Sequence, residues 1–574
     1  MTKRHFKGDL CTLNHLVITV EGAGLAEDCQ DGVVCSVLYG AGNIGLGMRD
    51  IVKEVELQFG LTEFPLQIVR NTVSRLQQKG QLRKKGELFF LEDEKLDKIA
   101  HEIAKMNDAL SRAESKIVAE VNKKTQDDPK ASKAAKEALQ KFLTLYCNEE
   151  TRYAQNLLSF TPATSRLKSP REIFDESLEG IDDPNIKKAI KDAIEKTFKA
   201  PNKKLEKYLY KTVANCMHLR FLKADPEMTG IRRSALSVKT FILDTNVLIT
   251  LVLKEHPKQA TTSRIVSLMK DLNQGLRFTN RTWQEWLEVL EKANQRYKFI
   301  NTTRPSLLGR LDDIFVQEFL QKSQKNLSLT WQDYYSEMRH LELLAGKEGI
   351  RLLDKDPHEL DELIDQELLS KLSNQVFRSG KRRLDMKFIK SKQVSQHDAY
   401  HLLLIRKLRE RHPTETLGPS YWFLTQDPSL LEVDKALNEL LQDSSALPSS
   451  LTFDVWTLMA SPFLASDSHR VRLAKVLVEL LRVNLAEAPI GQSASKIIEV
   501  LSPWLSYKSL SDKDLETILG DENVTRIYNK LREAGSTDPE KTREISEQLR
   551  KHVTKEAWDL LERKVQEAEE SNVK

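Results

Sequence analysis

At 574 residues the chain exceeds what one compact core holds, and about 150 residues per domain divides it into three or four units. Lys and Arg number 88 against 84 Asp and Glu; the net charge of +4 excludes a uniformly basic coat and confines any nucleic-acid surface to one region. With 40% hydrophobic and 30% charged residues, 22 Gly and 18 Pro, the composition excludes a fibrous or wholly disordered chain and fits a helix-rich globular one.

Near the start, the apolar run Leu16-Val17-Ile18-Thr19-Val20 is cut off by Glu21, too short for a signal h-region or a membrane span. A cytoplasmic protein with no membrane partner is expected. Cys11, Cys29, Cys35, Cys147 and Cys216 include no CxxC pair and no histidines at zinc spacing, so they read as reduced, mostly buried thiols. Met48 to Phe59 sets Ile51, Val52, Val55 and Phe59 at helical spacing, and Pro65 to Lys79 does the same with Ile68, Val69, Val73 and Leu76 before Gly80 stops it. Gln81-Leu82-Arg83 and Leu88-Phe89-Phe90-Leu91 are strand-like runs flanking Lys84-Lys85-Gly86-Glu87, a basic glycine turn. Three helices and a hairpin within residues 1–92 resemble a winged helix-turn-helix domain. The resemblance implies duplex binding through Arg70, Asn71, Ser74 and Arg75 on the recognition helix and Lys84 and Lys85 in the wing. Winged helices also serve as protein contact modules.

Residues 93–237 read as helical and lysine-rich, broken near Thr161-Pro162 and at Pro170, Pro184 and Pro201. Between Lys187 and Lys211 nine lysines accompany three acids, Asp192, Glu195 and Glu206, while Ile186, Ile190, Ile194 and Phe198 form an apolar stripe. One face packs and the other is basic.

Strands then alternate with helices over 238–460. The strand-like runs are Val238 to Leu243, Leu276 to Thr279, Tyr421 to Thr425 and Leu451 to Val455. Short apolar runs separated by helices imply a buried parallel sheet, and ligands collect outside the carboxyl ends of such strands. Two strands end in acids, Phe241-Ile242-Leu243-Asp244-Thr245-Asn246 and Phe423-Leu424-Thr425-Gln426-Asp427. Glu285 and Asp398 sit near helix starts and complement them. The two strand-end motifs, the helix-borne Glu285 and His397-Asp398-Ala399 resemble, in this order, the motifs of PIN-domain nucleases. The long separation of Glu285 from Asp398 departs from the family and leaves room for a helical insertion over about 300–390.

That resemblance implies a metal-dependent endonuclease with Asp244, Glu285, Asp398 and Asp427 as catalytic residues and ligands of Mg²⁺ or Mn²⁺. Several carboxylates held together repel, and a hard divalent cation relieves the repulsion with oxygen ligands. Asn246 and Thr425 have short polar side chains suited to orienting those carboxylates. Each acid also has a structural explanation: Asp244 and Asp427 as helix caps, the latter with Pro428 at N1, and Glu285 and Asp398 as surface charges. His397 is assigned no role, since a lone histidine is more often a packing residue.

Just before Asp398, Arg378, Lys381, Arg382, Arg383, Lys387, Lys390 and Lys392 accompany one acid, Asp385, with Phe377 and Phe388 interleaved. Such a segment offers phosphate contacts and stacking rings to nucleic acid, or is a solvated loop. Residues 461–574 return to helix, with Leu473, Val476, Leu477, Leu480 and Leu481 as a core stripe and a charged final helix near 540–570. The expected fold class is a multidomain α/β plus α protein: a PIN-like parallel-sheet α/β domain flanked by a winged-helix-like domain and all-helical regions. The expected partner is nucleic acid, RNA ahead of DNA. By analogy of architecture alone the chain fits a bacterial defence or stress effector. Two other functions stay open: a winged-helix DNA-binding regulator with a non-catalytic PIN-like scaffold, and an assembly protein whose helical regions recruit protein partners.

Overall fold

The computed structural model describes residues 24–158, 170–228, 239–303, 313–353, 357–382, 392–411, 420–441, 447–464 and 466–485, with a few short pieces outside them. The chain divides into two compact units, Met1–Phe241 with Thr261–Gly275 and Leu408–Glu487, and Ile242–Ala260 with Leu276–Lys407 and Ala488–Lys574. Residues 238–460 contribute to both units.

In the first unit, helices α1 (Leu25–Gly40), α2 (Met48–Phe59) and α3 (Leu66–Gln78) precede an antiparallel hairpin, β1 (Leu82–Lys85) and β2 (Leu88–Leu91). Ile51, Val55 and Phe59 of α2 and Ile68, Val69, Val73 and Leu76 of α3 are buried, as the helical spacing of apolar residues requires. The strands run through Lys84 and Lys85, so the turn shrinks to Gly86-Glu87, where Gly86 takes the φ of +64° that a residue with a Cβ resists.

Five helices follow: α4 (Asp93–Thr125), α5 (Pro129–Leu158), α6 (Pro170–Ser177), α7 (Pro184–Lys199) and α8 (Lys203–Ala224). Pro170 and Pro184 open helices, where a missing N–H costs nothing. Phe142 of α5 packs edge-on against Phe174 of α6 and Phe198 of α7, with ring centroids 5.3 and 6.0 Å apart. Three of the nine lysines between Lys187 and Lys211 are engaged with acids of α4, and Lys187, Lys188, Lys199, Lys203 and Lys207 are exposed. Lys196 bonds Glu120 at 2.7 Å, Lys204 bonds Asp108 at 2.8 Å, and Lys211 bonds Glu102, each acid lying on α4. Lys124 of α4 reaches back to Asp192 of α7 at 2.7 Å.

Five strands form one small sheet: β3 (Thr240–Leu243), β4 (Gly275–Phe278), β5 (Arg351–Leu352), β6 (Tyr421–Thr425) and β7 (Ser450–Thr452), in the order β5-β4-β3-β6-β7. The pairs β4 with β5 and β6 with β7 are parallel. The two-residue β5 lies within the segment expected to be helical, between helices. The strand expected over Leu451 to Val455 needs correction. It ends at Thr452, whose hydroxyl accepts the Val455 N–H and starts helix α19 (Phe453–Ala460). Between β3 and β4 lie α9 (Thr245–Val252) and α10 (Gln259–Asp271).

The second unit also contains α11 (Asn280–Thr303), α12 (Ile314–Lys325), α13 (Trp331–Met338), α14 (Leu341–Lys347), α15 (Pro357–Glu362) and α16 (Gln366–Arg382), before α17 (Lys392–Arg411) crosses back to the first. Its core is aromatic: Trp286 meets Phe315 edge-on at 5.2 Å and donates its indole N–H to the Met338 carbonyl, while Tyr297 stacks on Trp331 at 4.2 Å. After β6 come α18 (Ser429–Leu440), α19 and α20 (Asp467–Leu485). In α20, Leu473, Val476, Leu477 and Leu481 are buried as expected, but Val478 takes the core place expected of Leu480. The charged helix expected near 540–570 lies outside the described residues. Cys29, Cys35, Cys147 and Cys216 are buried free thiols, and Cys11 is outside the described set. Among the described residues no helix is long and apolar enough to cross a membrane.

Candidate functional site

Strand β3 delivers Asp244. The apolar triplet Phe241-Ile242-Leu243 is fully buried, and the chain turns into α9 at the next residue. Asp244 holds the N-cap position, with its carbonyl accepting the Val247 and Leu248 N–H groups, yet its carboxylate makes no capping bond. Instead Asn246 donates its amide to Asp244 Oδ2 at 2.6 Å. The side chain is therefore oriented by a neighbour two residues on, and helix capping does not account for it.

Two helices supply the remaining groups. Helix α11 starts after β4 and carries Glu285; helix α17 carries His397, Asp398 and His401 within little more than one turn. Asp244, His397 and Asp398 offer ligand atoms that all lie within 4.8 Å of one another. Asp244 and Asp398 are buried at 4% and 3% exposure. Glu285 Oε2 lies 3.2 Å from His397 Nδ1 and accepts the Thr245 hydroxyl.

The electrostatics follow from that crowding. Burial raises the Glu285 pKa; the His397 charge and the Thr245 hydrogen bond work against it, and the Asp398 and Glu288 charges work with it. For His397, burial alone lowers the pKa. Asp398, 3.7 Å away, and the charges of Glu285 and Asp244 outweigh it and move the imidazole above its ordinary value. His401 goes the other way, held well below its ordinary value by burial and by the His397 charge.

A neutral His401 braces the site. Its Nδ1 donates to the His397 carbonyl at 2.9 Å, which leaves Nε2 to accept the Thr279 hydroxyl at 2.8 Å. Thr279 in turn accepts the Thr282 N–H at 3.1 Å, and the Thr282 hydroxyl reaches the Leu243 carbonyl at 3.5 Å, one residue before Asp244. This chain of bonds ties the end of β4, the first turn of α11, the end of β3 and α17 into one frame. A cleft of about 250 Å³ opens beside Glu285 and His397, lined also by Arg281, Glu288, Lys292 and Tyr400.

Of the four acids singled out in the sequence, Asp244, Glu285 and Asp398 are thus brought together around His397. Asp427 lies in the first unit, where its N–H bonds Thr425 Oγ1 at 3.0 Å and its carboxylate accepts the Ser429 N–H at 2.8 Å, the geometry of a helix cap. Thr425 is fully buried and shapes that turn. His397 and Thr245 were passed over in the sequence. The spacing His397-x-x-x-His401, which puts both rings on one helix face, is the signal for His397; Thr245 has no such signal beyond its place after Asp244.

The nucleic-acid candidates fare unequally. Arg70, Lys84 and Lys85 are exposed. Arg75 turns inward: its guanidinium binds Asp31 at 2.6 Å and reaches the Glu27 carbonyl, a structural tie between α3 and α1. Arg378, Lys381 and Arg382 fall in the last turns of α16, where side chains lie outside the described set, and Arg383, Lys387 and Lys390 lie outside the described residues altogether.

No family model matches the chain, and no curated protein or solved structure matches it.

Proposed function

We propose that this chain is a metal-dependent, PIN-like endonuclease that hydrolyses phosphodiester bonds, RNA ahead of DNA, at the site built on Asp244, Glu285, His397 and Asp398. The observation that carries the reading is the convergence of two buried aspartates and an imidazole within 4.8 Å at the end of β3, the strand at which the sheet order reverses. Buried carboxylates so close favour a cation among them; a protonated His397 supplies one, and a bound metal ion would displace that proton and take its place. Hard oxygen donors with one imidazole suit Mn²⁺, and the oxygens suit Mg²⁺. Asp244, His397 and Asp398 would hold the ion, with Asn246 keeping the Asp244 carboxylate aimed. When bound, such an ion lowers the pKa of a water and neutralises charge on a phosphate.

The chain's own groups divide the remaining work. Glu285, raised in proton affinity by burial and open to the cleft, is suited to take the proton of an attacking water. Thr245 fixes its carboxylate, and the His401 frame fixes the helix that presents His397. Lys292 in the cleft offers positive charge to a phosphate chain. The test is a Mn²⁺-supplemented cleavage assay on RNA, single-stranded DNA and duplex DNA with Asp244→Asn as control. Cleavage lost in the variant supports the site, and cleavage at an equal rate refutes it.

A second reading, a DNA-binding regulator, is favoured by the exposed Arg70, Lys84 and Lys85 on the three-helix and hairpin unit. A sequence-specific footprint, with regulation unimpaired in Asp244→Asn, would select it.

A further inference from the structure

The cleft next to Glu285 carries more chemistry than cleavage requires. At about 250 Å³ it is smaller than the roughly 300–1,000 Å³ of drug-sized pockets, so it seats one small group. Arg281 forms one wall and is not a floppy cation. Its guanidinium binds Asp361 at 3.0 Å and lies 5.0 Å from the centre of the Tyr400 ring, so two neighbours fix its plane. A guanidinium plane held this way is a stacking platform for an unpaired base. Gln284, Gln393 and Gln396 line the same cleft, exposed, and among the described residues none of these three amides is hydrogen-bonded to protein. Glu288 completes the rim.

These groups differ in what they read. A glutamine amide donates and accepts side by side, the pattern that meets the amino group and ring nitrogen of adenine in a bidentate pair. An ionised glutamate only accepts, so Glu288 favours a base bearing an exocyclic amine and opposes one that presents a carbonyl there, as uracil does. We propose that this cleft is a base-reading subsite that takes one unpaired nucleotide beside the scissile phosphate, with adenine preferred over uracil, read by Gln284, Gln393, Gln396 and Glu288 against the Arg281 platform. The subsite makes cleavage strand-selective, because a paired base cannot enter. It rests on the reading of the neighbouring carboxylates as a cleavage centre.

The test uses the full chain and two readouts: binding of adenosine and uridine 5′-monophosphate, and cleavage mapping in Mn²⁺ on oligouridine RNA carrying a single adenosine. Wild type should bind the adenine nucleotide about tenfold or more tightly and cut beside the single adenosine, the discrimination expected of one bidentate pair. Gln393→Ala/Gln396→Ala should weaken the adenine nucleotide and lower that ratio, while Glu288→Gln should lower it by improving uridine binding. Equal affinity for the two nucleotides, or an unchanged ratio in both variants, overturns the subsite. Adenine-selective binding without cleavage of any strand leaves the subsite standing and refutes the cleavage centre; base-blind cleavage with equal nucleotide affinity does the reverse.

Discussion

His218 of the first unit and His397 of the second are both buried, at 3% and 9% exposure, yet their imidazoles move in opposite directions. Around His218 burial pushes the pKa down to about 4, and the Arg470 charge adds to it. Around His397 the burial penalty is as real, but three carboxylates face the ring. The contrast teaches what separates a packed histidine from one set among carboxylates: equal loss of water, unequal company. On α4 of the first unit each acid sits between cations, Glu120 with Lys123 and Lys196 and Asp108 with Arg112 and Lys204, whereas in the second Asp244, Glu285 and Asp398 gather around one imidazole.

The largest expected effect breaks the comparison on the His218 side. With its folded pKa near 4 and its unfolded value at 6.5, the unfolded chain takes the proton first, so stability is full above pH 6.5 and falls as pH drops toward 4. At about 1.4 kcal/mol for each unit of pKa, the loss below pH 4 reaches about 3 kcal/mol. Denaturant unfolding between pH 7 and 4 should show that slope, and His218→Leu should flatten it. His397 contributes with the opposite sign, because its folded pKa is raised: its contribution is full below pH 6.5 and fades as pH rises.

The next effect sharpens the His397 side. Mn²⁺ at a hundred times its dissociation constant should raise unfolding stability by about 2.7 kcal/mol, since the unfolded chain does not assemble the cluster. The gain should vanish in Asp244→Asn/Asp398→Asn. An equal shift in wild type and double variant would remove these residues from the site.

Asn246→Ala is expected to lower cleavage about 10–100-fold with little change in nucleic-acid affinity, because its amide only aims the Asp244 carboxylate. A drop in affinity with unchanged turnover would show that Asn246 touches substrate instead. The smallest effect lies in the helical region. Burial opposes it, but hydrogen bonds from Lys105 and Lys211 hold the Glu102 pKa down to about 2, so its contribution is present above pH 4.5 and lost as pH falls through 2. The carboxylate is partly exposed, so Glu102→Gln should cost under about 1 kcal/mol at neutral pH.

What the sequence disclosed depends on how local the cause is. The run Phe241-Ile242-Leu243 followed by a polar triplet discloses β3 and Asp244, because strand burial and the turn into a helix are both written in adjacent residues. The three helices and hairpin before residue 92 are equally local. Arg75 looked like a polar-face residue on its own helix, and only α1, which carries Asp31 44 positions earlier, turns it inward. The lysines between 187 and 211 read as a basic face and most stay exposed, but the acids of α4 that bind Lys196, Lys204 and Lys211 lie too far along the chain to be seen locally. Two residues, Arg351–Leu352, are too few to show a period-two pattern, and Ser450 to Val455 mixes strand and helix preference until the Thr452 cap divides it. His397 was legible only in part: its spacing to His401 and its neighbour Asp398 are local, but Asp244 and Glu285 lie more than a hundred positions away.

The most direct test of the central claim is a paired measurement on wild type and Asp244→Asn: binding of a labelled single-stranded RNA in chelator, and single-turnover cleavage of the same strand in Mn²⁺. Removing one buried charge takes away a cation ligand and a repulsion toward phosphate together. The variant should therefore bind as well as wild type or better, and cleave only at background. Metal-dependent cleavage by Asp244→Asn at the wild-type rate would contradict the site, and no cleavage of any strand by wild type would contradict the proposed activity.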